Sequence, residues 1–196
     1  RLEPVFEGSI AVTMSNCLPM GSSLFVSNSM PPRDLEFFWT PNDRRVGVYS
    51  SRGANGIDGI LSTALGVAHR GEPTFLLTGD LALLHDSNGG LVSKRLEGSL
   101  TIILINNAGG GIFEMLPVSQ FGEEFEEFFA TDQQIDFSKW AATYNIEYMK
   151  ANSLKEFEMY LGREARGGVS LIEVVTDRKR DAVERKRIFA EIASSL

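Results

Sequence analysis

The sequence predicts an α/β fold, a doubly wound and mainly parallel sheet with helices on both faces. Runs of apolar residues alternate along the chain with segments of helical period, the pattern of βαβ units around a parallel sheet. No internal repeat, linker or low-complexity tract interrupts that alternation. The 196 residues, 43% hydrophobic and 23% charged, are ordinary for a soluble globular protein and suffice for one domain with a sizeable core. Residues 1–196 are therefore read as a single domain.

The elements follow in order. Val5 to Cys17 has the spacing of an amphipathic helix. Ser23 to Ser27 is a short strand, and Pro32 then opens a helix through Phe38, since proline's fixed φ and missing N–H suit a first turn. Val46 to Tyr49 is the second strand. A glycine-rich stretch, Arg52 to Gly59, leads into a helix ending near His69. Thr74 to Thr78 is the third strand, a helix spans about Leu81 to Leu96, and Leu100 to Ile105 is the fourth strand. After Asn107 come Gly109-Gly110-Gly111 and an acidic, phenylalanine-rich stretch from Phe121 to Phe129. Asp136 to Tyr144 is helical, Glu147 to Met149 extended, and Ser153 to Arg163 helical with Ser153 as N-cap. Val169 to Val175 is the last strand, and a charged helix closes the chain.

Composition excludes several classes of partner. A net charge of −7 without a basic stripe argues against nucleic acid. The one basic cluster, Arg178-Lys179-Arg180 with Arg185-Lys186-Arg187, is interleaved with Asp181 and Glu184 and reads as the solvated face of a terminal helix. No stretch approaches the roughly 18 apolar residues of a membrane span, so no membrane partner is expected. The lone Cys17 can form no internal disulfide and is expected to be buried and inert. The expected location is the cytoplasm, with an organelle such as the plastid also compatible. The chain opens at Arg1 without a Met, so residues upstream, with any targeting segment, are expected to be missing.

Two strand ends carry the candidate chemistry. Asp80 follows Phe75 to Thr78, and Asn107, 27 residues later, follows Ile102 to Asn106. In open parallel sheets ligands bind outside the carboxyl ends of strands. A carboxylate, an amide oxygen and a backbone carbonyl near Gly109 would suit Mg²⁺, which takes few protein oxygens and shares the rest with phosphate and water. Alone, Asp80 reads as a cap of the next helix and Asn107 as a turn residue. Together, at this spacing and before a glycine run, they favour the metal.

Other positions stay open. Gly53 to Gly59 could offer backbone amides to an anion at a helix start, or only make a tight turn. Asp58, which would repel an anion if it pointed inward, is expected to cap. Ser29 and Arg33 follow one strand and Arg52 another. Two arginines at one crevice suit a substrate bearing carboxylates, while isolated surface arginines are the plainer alternative. Ile112-Phe113 and Met115-Leu116 are equally an apolar wall for a ligand or core. His69 and His85 lack metal spacing and read as structural or solvent-facing; Asp86 and Asn88 as packing or capping residues. No Gly-x-Gly-x-x-Gly follows the first strand, which argues against a dinucleotide site.

Four strings together resemble one thiamin-dependent family. They are Ser27-Asn28-Ser29-Met30-Pro31-Pro32-Arg33-Asp34, the stretch Arg52 to Gly59, Gly79-Asp80-Leu81 continuing through Leu84 to Gly89, and Asn106-Asn107-Ala108-Gly109-Gly110-Gly111-Ile112-Phe113. They are similar to the C-terminal, diphosphate-binding domain of the 2-succinyl-5-enolpyruvyl-6-hydroxy-3-cyclohexene-1-carboxylate synthases of menaquinone and phylloquinone biosynthesis, over essentially the whole chain. That family decarboxylates 2-oxoglutarate and adds the resulting succinyl semialdehyde unit to isochorismate.

By resemblance the cofactors are thiamin diphosphate and Mg²⁺, with Mn²⁺ able to replace it. Asp80, Asn107 and the Gly109 carbonyl would hold the metal. Ser29, Gly56, Leu81 and Ala82 would line the diphosphate, with Ile112, Phe113 and Leu116 on the apolar side. Ile57 would wedge the cofactor into its bent form, and Arg33 and Arg52 would bind carboxylates. Ala108 departs from a position often polar in the family, and Thr131 to Gln134 lacks its Pro-His. The resemblance also implies an N-terminal pyrimidine-binding domain, supplied by a partner subunit of a homo-oligomer and bearing the glutamate that activates the cofactor. This chain is too short to include it and is expected to be inactive alone. The remaining alternatives are a thiamin-dependent decarboxylase or synthase for another 2-oxo acid, and a non-catalytic diphosphate-binding domain.

Overall fold

All strand pairs in the computed structural model, which describes residues 5–164 and 167–195, are parallel. Strands β1 (Ser23–Val26), β2 (Gly47–Ser50), β3 (Thr74–Gly79), β4 (Ser99–Asn106), β5 (Glu147–Ala151) and β6 (Gly168–Val175) form one sheet in the order β2-β1-β3-β4-β6-β5. Helices α1 (Glu7–Cys17), α2 (Met30–Phe38), α3 (Ile60–Ala68), α4 (Asp80–His85), α5 (Glu123–Phe125), α6 (Phe137–Tyr144), α7 (Leu154–Leu161) and α8 (Arg178–Ser194) surround it. The doubly wound, parallel expectation holds.

The inner strands β1, β3 and β4 are largely apolar because both their faces are covered, whereas the edge strands β2 and β5 are mostly exposed or half-buried. Side chains alternate across the sheet. Leu76, Ile102, Leu104 and Leu171 pack with Ile60, Leu61 and Leu65 of α3 and Trp140 of α6. Phe75, Leu77, Ile103, Ile105 and Ile172 pack on the other side with Ile10 and Met14 of α1 and Phe157 of α7. Local caps set several helix starts. The Ser153 hydroxyl accepts the Glu156 N–H (3.2 Å), Asp136 accepts from Ser138 and Lys139, and Asp177 from Lys179 and Arg180.

Four expectations need correction. The Leu81–Leu96 helix is split: α4 ends at His85 and a 3₁₀ segment runs from Ser87 to Arg95. Asp86 causes the break, because its carboxylate reaches across to cap α3, accepting the Ser62 N–H (2.7 Å) and hydroxyl (3.1 Å). Behind it Gly90 lies so close to the Tyr144 ring that a Cβ there would stand 2.6 Å from it. Asp58 does not cap α3, whose N-cap Gly59 receives no side-chain bond. Cys17 is half-buried rather than buried, its thiol pushed up by partial burial and then by the Glu158 charge.

The largest correction concerns α8. Its charged residues are not a solvated face: Arg178, Asp181 and Arg185 are buried, the last only 2% exposed. Their spacing puts them on one side of the helix, and that side meets α1 and α2. Arg185 donates to Asp34 from Nε (3.0 Å) and Nη2 (2.7 Å), and to Glu7 Oε2 from Nη2 (2.5 Å). Asp181 accepts the Glu7 backbone N–H (3.0 Å), so α8 caps a helix whose own N-cap, Phe6, has no side-chain acceptor. Removing Arg185 would strand the two buried carboxylates of Glu7 and Asp34. Arg185→Met is therefore expected to cost about 3–5 kcal/mol, the range for breaking a buried ion pair. Urea titration should show a lowered midpoint at unchanged slope.

Candidate functional site

Strand order reverses between β1 and β3: the chain goes from β1 outward to β2, then returns to place β3 on the opposite side. Loops leaving the two strands diverge there and open a crevice outside their carboxyl ends. A cavity of about 290 Å³ lies at this point. Its wall brings together Ser29, Ile57, Asp80, Leu81, Ala82, Asn107, Gly109, Ile112 and Phe113 from the expected set. Glu7, which was not singled out from the sequence, also lines it, as do Asn28, Met30, Asn55, Gly110 and Gly111, which stood in the motif strings without a ligand role of their own.

Gly56, Leu116, Arg33 and Arg52 do not line this cavity. The Gly56 carbonyl accepts Asn28 Nδ2 (2.5 Å), and Leu116 is 48% exposed. Arg33 Nη1 donates to the Ser29 carbonyl (2.6 Å), and Arg52 Nη1 to Asn28 Oδ1 (2.9 Å). The two guanidinium groups are thus moored to consecutive residues of the β1 tip. Ser29 itself has φ 72° and ψ −127°, a conformation costly for a residue with a Cβ, of the kind that gathers at functional sites. The first turn of α3 is capped by Asp86, which accepts the Ser62 N–H (2.7 Å).

Register sets Asp80 beside Asn107, for Gly79 pairs with Ile105 on the neighbouring strand. Asp80 caps locally, Oδ1 accepting the Leu81 N–H (2.8 Å), while Oδ2 accepts the Gly109 N–H (2.8 Å) from across the crevice. Burial, above all, raises its pKa to about 6, with the Asp132 and Glu7 charges adding and the two N–H bonds opposing. The Asn106-Asn107 pair divides between the sheet's faces. Asn106 Nδ2 goes to Glu173 (2.6 Å) and Asn107 Nδ2 to Glu7 Oε1 (2.7 Å). The Asn107 Oδ1 is buried and accepts no hydrogen bond from the described residues.

The glycines after Asn107 are steric requirements. A Cβ at Gly111 would lie 2.7 Å from Asn107 Nδ2, and one at Gly110 2.5 Å from the Phe129 carbonyl oxygen. Gly109 has φ 125°, and a Cβ there would collide with the Ala130 carbonyl. Gly110 N–H donates to that same carbonyl (2.7 Å). Ala108, φ 61°, contributes its backbone: the carbonyl accepts Arg178 Nη1 (2.9 Å).

These groups fit a divalent cation. An orphaned amide oxygen, a carboxylate with lone pairs to spare and the Gly109 carbonyl, which accepts the Gly111 N–H (2.9 Å), form a partial oxygen set. Among the described residues no group of three or more His, Cys, Asp or Glu is arranged to hold a metal ion.

The model of the thiamine pyrophosphate enzyme family's C-terminal TPP-binding domain matches residues 36–174. The chain belongs to that family. As a TPP-binding domain it is 50% identical over 189 residues to the 2-succinyl-5-enolpyruvyl-6-hydroxy-3-cyclohexene-1-carboxylate synthase of Rippkaea orientalis, covering 96% of this chain and 32% of that protein. It is 51% identical over 182 residues to the synthase of the same name from Trichodesmium erythraeum, covering 93% and 31%. The chain spans about a third of the length of the curated relatives it matches. The fold is shared with benzoylformate decarboxylase from Polynucleobacter necessarius, at TM-score 0.72 and 16% identity, over 89% of this chain and 34% of that one.

The buried carboxylates behind the cavity carry a pH signature. Asp181 is pushed up to about 7, first by burial and then by the Glu7 charge. Held above its unfolded value, it keeps a proton in the folded state that the unfolded chain has released. Its contribution to stability is thus complete in acid and lost as pH rises through about 7. Asp181→Asn retains an oxygen for the Glu7 N–H without the charge. Its stability relative to wild type should grow between about pH 4 and 7, by at most about 1.4 kcal/mol per pH unit, then level off. Urea denaturation of the cofactor-free protein at pH 5 and 8 measures it.

Proposed function

We propose that this chain is the diphosphate- and metal-holding domain of a thiamin diphosphate- and Mg²⁺-dependent 2-succinyl-5-enolpyruvyl-6-hydroxy-3-cyclohexene-1-carboxylate synthase of menaquinone or phylloquinone biosynthesis. The observation that carries the reading is the unpaired Asn107 Oδ1, buried beside the Asp80 carboxylate and Gly109 in a cavity at the sheet's switch point. The roughly 50% identity to synthases of that name supports the substrates, 2-oxoglutarate and isochorismate.

In this reading Asp80, Asn107 and the Gly109 carbonyl would hold Mg²⁺ (or Mn²⁺), which would supply positive charge for the diphosphate. Ser29, Leu81 and Ala82 would line the diphosphate, with Ile57, Ile112 and Phe113 on the apolar side, whereas Gly56 and Leu116 stand outside the cavity. Thiamin diphosphate supplies, when bound, the carbon nucleophile and electron sink that decarboxylation of a 2-oxo acid needs. Arg33 and Arg52, moored either side of the β1 tip, receive substrate carboxylates, each guanidinium able to fork onto one. The activating glutamate comes from an N-terminal pyrimidine-binding domain of a partner subunit in a homo-oligomer, so this chain alone turns nothing over.

Calorimetric titration of thiamin diphosphate with and without Mg²⁺ tests the site. Binding should require Mg²⁺ and be abolished in Asp80→Ala; unaltered binding in that variant refutes the assignment. For the reaction, the intact natural protein is assayed with 2-oxoglutarate, with and without isochorismate, and with pyruvate. Consumption of pyruvate alone would instead mark a different 2-oxo acid enzyme.

A further inference from the structure

We infer that Glu7 is a positioning residue for the metal site, fixing which end of the Asn107 amide faces the cation; the inference rests on the metal reading proposed above. An amide side chain has two nearly isosteric ends, an oxygen that ligates a cation and an NH₂ that repels one. Nothing in the β4 tip itself chooses between them. Glu7 does, because an ionised carboxylate only accepts hydrogen bonds, and its Oε1 lies 2.7 Å from Asn107 Nδ2. The NH₂ must turn toward Glu7, and Oδ1 is thereby aimed away, where it has no partner among the described residues.

The rest of the shell keeps Glu7 an acceptor. Thr176 Oγ1 donates to the same Oε1 (3.0 Å), and Arg185 Nη2 holds Oε2 (2.5 Å). Glu7 is 1% exposed and Arg185 2%, so water does not compete for either. Gly111, without a Cβ, leaves room for the amide in this rotamer. A carboxylate at position 7 therefore acts from α1 on a ligand at the end of β4 without itself needing to touch the ion. Partners of this kind typically change metal affinity 10–100-fold when removed.

The test uses the intact natural protein with thiamin diphosphate present, following Mn²⁺ binding through the electron paramagnetic resonance of the free ion. Glu7→Gln should weaken Mn²⁺ binding about 10–100-fold, since the Gln oxygen will stay on Arg185 and its NH₂ will turn the Asn107 amide over. Adding Asn107→Asp to that variant restores an acceptor facing an NH₂ and should recover wild-type binding to within about threefold, a coupling that general destabilisation would not produce. Wild-type affinity in Glu7→Gln, or no recovery in the folded double variant, overturns the inference. Absence of Mn²⁺ binding in the wild type, or unchanged binding in Asp80→Ala, overturns the metal reading instead. Should the Glu7 variants fail to fold, a crystal structure of the wild type with thiamin diphosphate and Mg²⁺ decides. The ion on Asn107 Oδ1 with Nδ2 roughly 3 Å from Glu7 supports the inference; an amide turned away from Glu7 overturns it.

Discussion

The buried pairing of Arg185 with Glu7 and Asp34 holds three helices, α1, α2 and α8, in one arrangement, and the floor of the cavity follows from it. Burying charge is expensive, and apolar residues of similar volume often stabilise such a spot better. What apolar packing lacks is polarity. An acceptor under Asn107 distinguishes the two ends of its amide, which an apolar side chain cannot do. The same helix also reaches the opposite rim, where Arg178 grips the Ala108 carbonyl and pairs with Glu114 (2.9 Å) and Glu126. Thus α8, last in sequence, braces the β4 loop from two sides.

Sequence reasoning succeeded where the governing forces are local. Continuous apolar runs mark strands covered on both faces, and a cap such as Ser153 acts on an amide three residues away. It failed where a side chain is claimed by a distant segment. Asp86 looked like part of a long helix because nothing nearby announces Ser62 as its partner. The charges of α8 resembled a solvated face, although Arg178, Asp181 and Arg185 recur at helical spacing around the buried Ala182. That periodicity was a readable hint of a buried stripe.

The candidate site divides in the same way. Asp80, Asn107 and Gly109 stand at strand ends, and the parallel register alone puts them side by side. Ser29 and Ile57 are brought in by the neighbouring β1 tip and the loop before α3. Glu7 had no such signature, since its partner lies 100 residues away and its type suits any amphipathic helix. Asn28 stood within a motif string without a role of its own, yet it ties the β1 tip to the Ser51 (3.1 Å) and Gly56 (2.5 Å) carbonyls and to Arg52.

The glycine run after Asn107 lies flat against the main chain of Phe129 and Ala130, inside a π-helical turn from Glu126 to Ala130. The wider winding of that turn carries those carbonyls to the glycines, with Phe129 edge-on to Phe113 and stacked on Phe125. Neither stretch can acquire bulk or lose a residue while the other stays as it is. Over evolutionary time the two must drift as a matched pair, and a chimera that swaps one without its counterpart would inherit a misfitted seam.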